Sequence, residues 1–145
     1  MATEQFAGPV DYLVFAFDEH ADLGTGFKAV LDRVQEGVIE ILDIELVSRD
    51  GSGAPVRRTF SELDGASGID LSVFDGVESD ILDEDDLAGI TAELRPGQIA
   101  VAVVYEDRSL AVAADAWASA GGVELFSGGI DVNELGRKLE EGAQP

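Results

Sequence analysis

Two stretches limit what this chain can fold into more than any other: GPVDYLVFAFDE near the start, and QIAVAVVYE from Gln98 to Glu106. In an extended chain, successive side chains point to opposite faces. Tyr12, Val14 and Ala16 then share one face of the first stretch, and Leu13, Phe15 and Phe17 share the other. Val101, Val103 and Tyr105 line one face of the second. A strand that is apolar on both faces fits the inside of a sheet with cover on at least one side. The first stretch therefore reads as a central strand, and the chain as a sheet dressed by helices.

Helical spacing follows the first strand. Phe27, Val30, Leu31 and Val34 form one stripe, and Gly37 is placed to end it. VIEILDIELVSRD is a second strand, with Leu42, Ile44 and Leu46 on one side and Asp43 and Glu45 on the other. DGSGAP makes a turn into the short returning strand VRRTF. A connection over about residues 61–80 is irregular, with scattered apolar anchors (Leu63, Ile69, Leu71, Val73, Phe74). A helix from about Glu84 to Leu94 closes on RPG. QIAVAVVYE, the alanine-rich helix SLAVAADAWASAGG, a last strand VELFS and a last helix DVNELGRKLEEG complete the order. In that last helix Asp131 and Glu134 have the spacing of a capping box. No internal repeat suggests an array. The order predicts an α+β domain of ferredoxin-like plan, one antiparallel sheet with helices on one face plus a C-terminal helix. A flavodoxin-like parallel sheet is the alternative. Residues 1–145 read as a single domain with short flexible ends at about 1–8 and 141–145.

Composition narrows the function classes. The chain has 145 residues, 46% of them apolar, enough to bury a core. Thirty acidic residues oppose nine basic ones, for a formal charge of −21, and no basic residue stands between Arg58 and Arg95. Such a field repels nucleic-acid phosphates and anionic membranes, leaving a basic protein as the favoured partner on charge alone, or the acidity as an adaptation to high salt. No apolar run approaches the roughly 20 residues of a membrane-spanning helix. The N-terminus lacks the basic-then-apolar pattern of a secretory signal. Cysteine is absent, which excludes disulfides and thiol chemistry and fits a cytoplasmic protein.

The acidic run DILDEDDLAGI invites a metal reading. A calcium loop needs oxygen ligands at positions one, three and five, Gly at six and Glu at twelve. Counted from Asp83, position six is Ala88 and position twelve is Leu94; counted from Asp80, position three is Leu82. Both counts fail. A helix start accounts for the run instead: Asp83 as N-cap, Glu84, Asp85 and Asp86 in the first turn, and Leu82 with Leu87 as a hydrophobic staple.

Other motifs are weaker. GTGFKA, Gly24 to Ala29, matches G-x-G-x-x-A between a strand and a helix, with Asp43 and Glu45 about twenty residues on. However, DEHADL separates it from the strand. Gly24, Thr25, Gly26 and Lys28 are the candidate ligand-binding residues, for a small ligand or nucleotide, on a loop entering a helix with Thr25 as cap. His20, the single histidine, lies among Asp18, Glu19 and Asp22 in an exposed loop. No G-x-S-x-G surrounds any serine. Trp117 falls on a stripe with Leu110, Ala113 and Ala114, which places it against the sheet or at an interface.

Across nearly its whole length the chain resembles a family of short acidic actinobacterial proteins catalogued as a domain of unknown function. The resemblance is carried by GPVDYLVFAF, by IEILDIELVSRD with the turn after it, by the acidic helix start before LAGITAELRPG, by AVAVVYE and by AGGVELFSGGID. It implies a cytoplasmic bacterial domain and brings no activity with it. Relatives often continue after the glutamate corresponding to Glu106 into a tryptophan-containing helix start; here DRSLAVAADAW intervenes before Trp117.

The function expected from the residues is association without catalysis, chiefly with further copies of the same chain, and with no cofactor or metal. The interface residues expected are Phe15, Phe17, Val103 and Tyr105 on the strands, Trp117 on the alanine-rich helix, and Arg57 and Arg58 paired with acids of a neighbour. A ligand-binding regulator using Gly24–Lys28 and an acidic adaptor for a basic protein are the alternatives.

Overall fold

The computed structural model describes residues 8–63, 71–77 and 81–126. The last helix expected from the sequence, with its capping box at Asp131 and Glu134, lies outside them. Four strands form one sheet: β1 (Val10–Asp18), β2 (Ile39–Arg49), β3 (Pro55–Arg58) and β4 (Gln98–Asp107). Three α-helices, α1 (Gly24–Gln35), α2 (Glu84–Thr91) and α3 (Ala111–Ser119), and two 3-10 turns at Phe60–Leu63 and Leu71–Gly76 accompany it. The fold class is α+β.

The strand order is β1-β4-β2-β3 and every neighbouring pair is antiparallel. Among the described strands there is no parallel pair, so the flavodoxin-like alternative does not hold. β1 and β2 run the same way with β4 between them, and α1 crosses from one to the other.

One sheet face, here the front, carries Ile44 and Leu46 of β2 and Ile99, Val101 and Val103 of β4. Against them pack Leu23 and Phe27 at the start of α1 and Phe60 and Phe74 from the 3-10 turns. Phe27, Phe60 and Phe74 form a mutual aromatic cluster with centroids 5.3 to 5.6 Å apart. This cluster anchors the connection after β3, which the sequence shows only as scattered apolar residues. The back face is covered by α2, whose Leu87 packs with Leu94, Val47 and Ala100. At the start of α2, Asp83 accepts from the Asp86 N–H at 2.9 Å and its own N–H donates to the Asp86 carboxylate at 3.0 Å. That capping box, with Leu82 packed on the same cluster as Leu87, bears out the helix-start reading of the acidic run. Gly97 ends the RPG turn at φ +83, a conformation only glycine takes without strain.

Several expectations need correction. Among the described residues β1 is an edge strand, not a central one: it bonds to β4 alone, and seven of its nine residues in succession are exposed. Apolar composition on both faces says a strand wants cover, but not whether it has it. β2 contains a bulge between Ile41 and Asp43, so Leu42 drops out of the alternation and Asp43, Glu45 and Val47 face the back. Gly24–Lys28 is the first turn of α1 itself rather than a loop before it, with Leu23 at the N-cap and no side-chain cap from Thr25. Of the expected strand VELFS, residues 123–126 are described and form no strand with any other described residue. Trp117 is 65% exposed instead of packed on the sheet.

Candidate functional site

An apolar opening follows directly from the placement of β1. α1 covers β4 and β2 on the front face but does not reach the edge. Leu13, Phe15 and Phe17 of β1, Val101 and Val103 of β4, and the Gly26–Val30 side of α1 therefore wall a groove of about 310 Å³. Asp22 is the one charged residue in its wall. Phe15 is 54% exposed and stacks on Phe17 at 6.0 Å. On the back of the same strand Tyr12 is 76% exposed and Val14 40%. Outward along the edge, the backbone N–H and C=O groups of β1 that point away from β4 have no strand beside them among the described residues.

A second constellation lies on the back face, where the bulge turns Asp43 inward. Asp43 is fully buried. Its Oδ2 accepts from the Leu82 N–H at 2.8 Å, tying the segment before α2 to the sheet, while Oδ1 has no partner of its own. Glu45, two residues on and on the same face, accepts from Arg57 Nη1 at 2.9 Å, and Arg57 Nη2 donates to Glu84 at 3.2 Å. Burial, then the hydrogen bond and negative charge of Asp43, push the Glu45 carboxyl up to about 7, against the opposing pull of Arg57. A proton held on Glu45 gives its carboxyl a donor to offer the Asp43 side chain. Among the described residues no three acidic or histidine side chains converge as a metal site. The signal that identifies this pair is an Asp inside an otherwise apolar strand segment, I-L-D-I-E-L, and only the bulge shows that it is buried.

The expected site residues divide. Phe15, Phe17 and Val103 converge on the groove, and Tyr105 packs beside the same core half-buried. Val103 is 9% exposed, at the floor of that groove. Arg57 and Arg58 pair within the chain, Arg57 with Glu45 and Glu84 and Arg58 with Glu62 at 2.7 Å. Gly26 lines the groove, whereas Lys28 is engaged with Asp32 at 3.1 Å on the helix surface. Gly24 is buried at the start of α1. His20 is exposed beside Glu19, as its loop position predicts. Sequence reasoning missed Leu13, Leu23 and Phe27 as groove residues, because their convergence depends on how far α1 reaches across the sheet.

No protein-family model matches the chain, and neither the curated proteins nor the solved structures contain a detectable match. No helix of the described residues is long and apolar enough to cross a membrane.

Proposed function

We propose that this chain is a non-enzymatic association module, built on a ferredoxin-like sheet, that pairs with a second copy of itself through β1 and the front groove. The observation that carries this reading is β1: an edge strand with large apolar side chains exposed on both faces. An unpaired edge of this kind is a template for added chain, and an apolar strip of this size on an otherwise acidic surface marks a contact site. The ferredoxin-like plan is supported by β1, α1 and β2 with β4 inserted between the two parallel strands, which is one half of such a sheet. The other half needs a strand outside β1.

The test is the mass in solution by light scattering, at low salt and near 1 M salt, where the Debye length is about 3 Å. A dimer that persists or strengthens at high salt is expected, because apolar contact survives screening while mutual repulsion does not. Phe15→Asp places a charge on the strip and is expected to yield monomers with unchanged far-UV circular dichroism. A wild-type monomer at both salt concentrations refutes the reading.

A further inference from the structure

Among the described residues no strand lies on the outer side of β1, yet they include a segment suited to that place. α3 has no buried residue, and Leu110, Val112 and Trp117 stand 61 to 85% exposed. Helices shorter than about 12–15 residues are marginal in water without packing, so nine residues of α3 need a surface. Beyond it Val123, Leu125 and Phe126 are 78 to 94% exposed with no strand partner among the described residues, although VELF has strand composition.

Topology says where such an arm fits. β4 runs antiparallel to β1 and ends beside the start of β1, where Val10 pairs Glu106. A helix leaving β4 must run back along the sheet, and a strand after it descends antiparallel to β1. The connection β4–α3–strand, passing over β1, is related to β1–α1–β2, passing over β4, by a half-turn about the sheet normal. Crossovers of the same hand therefore put α3 on the same face as α1, which is the face that holds the groove. Gly26, on the groove side of α1, has nothing within 4 Å of where a Cβ would be, and the alanines of α3 permit close helix approach there.

Resting on the reading of β1 as a self-association site, we infer that its occupant is the Ala111–Phe126 arm of the second copy. α3 fills the front groove beside α1, and Val123–Phe126 adds as a fifth strand on the β1 edge, reciprocally in both copies. Two observations favour exchange between copies. First, the exit of the arm is pinned: the Arg108 N–H donates to Val38 O at 2.8 Å, its guanidinium donates to Glu106 at 2.9 Å, and the Ala111 N–H donates to Arg108 O at 3.0 Å. From that exit α3 has no fully buried residue, only Ala111, Ala113 and Ala114 half-buried. Second, residues 109–126 contain only two charged side chains, Asp115 and Glu124, so this is a segment the strongly acidic body of another copy accepts with little repulsion. The exposed apolar side chains of arm and acceptor together represent on the order of 1,000 Å² per copy, enough for a stable two-fold contact. Reciprocal exchange closes the assembly at two.

The absence of cysteine makes a clean disulfide test possible with the full chain. Glu124→Cys, on the arm, is mixed under mild oxidation with each of Tyr12→Cys, Val14→Cys and Ala16→Cys on the back of β1; Ser52→Cys in the exposed β2–β3 turn is the control. Cβ atoms must approach within about 4.5 Å to bridge, so a heterodisulfide far above the control at one of the three positions is expected. If no position exceeds the control while light scattering shows a dimer, the arm is not the occupant, and the association reading stands without it. If a chain carrying both Glu124→Cys and a β1 cysteine closes only within one monomer, the arm fills its own sheet and exchange is overturned. A monomer with no disulfide overturns both.

Discussion

Glu45 sets a pH dependence that the structure makes quantitative. Its carboxyl moves from an ordinary 4.5 to about 7 on folding. A group raised in the folded state contributes stability that is complete below its unfolded pKa and is lost as pH rises through its folded one. The window for Glu45 therefore opens near 4.5 and closes just above 7. At full strength the displacement is worth roughly 3 kcal/mol. Between pH 5.5 and 8.5, where Glu45 is ionised in the unfolded chain throughout, the loss is about 2 kcal/mol by the same linkage. Glu45 is partly solvated and bonded to Arg57, itself 41% exposed, and screening by both reduces the expected loss to about 1 kcal/mol.

The assay is urea unfolding followed by far-UV circular dichroism, at fixed protein concentration so that association does not enter the comparison. Glu45→Gln keeps a donor for the Asp43 side chain and removes the titration. The stability of wild type minus that of Glu45→Gln should fall by about 1 kcal/mol between pH 5.5 and 8.5, levelling off just above pH 7. Asp43→Asn should bring that levelling to lower pH without restoring an ordinary value, since burial precedes Asp43 among the causes. Parallel wild-type and Glu45→Gln curves would sink this account of Glu45.

Two further outcomes test the packing. Leu87→Ala, fully buried between α2 and the sheet, should cost about 2–5 kcal/mol in the same unfolding assay. Asp83→Ala removes the cap that accepts from the Asp86 N–H and should cost about 1 kcal/mol, with faster hydrogen exchange confined to the first turn of α2.

Local features were legible in the sequence to the extent that they depend on neighbours in the chain. The α1 stripe, the α2 start with its Asp83 cap and Leu82–Leu87 staple, and the β2–β3 hairpin each rest on interactions within about a dozen residues, and each was readable. Features decided by distant pairing were not. Whether β1 is central or at an edge depends on which strands lie beside it, and its own alternation is the same in either case. The bulge at Leu42 shifts which side of β2 faces the back only because β4 holds both flanks in register. The interior position of Asp43 follows from that shift. Arg57 and Arg58 looked free for a partner because their acids lie on β2, on α2 and in the turn after β3, and only the fold brings Glu45 and Glu84 together around Arg57.

The acidity of the chain bears on which association is possible. With a net charge of −21, two copies repel over most of their surfaces, and a face-to-face contact of sheet on sheet would bring carboxylates together at low dielectric. β1 departs from this pattern: between Asp11 and Asp18 it is uncharged for six residues. The arm after β4 departs from it for longer, with two acids in eighteen residues. On the proposed reading charge acts as a filter: among the described residues the β1 edge, the front groove and the arm are the surfaces suited to approach another copy. An edge strand with such composition would ordinarily promote open-ended aggregation. The acidic surroundings oppose stacking in every other direction, and a reciprocal contact between edge and arm uses both reactive surfaces at once, leaving none to extend the chain of contacts.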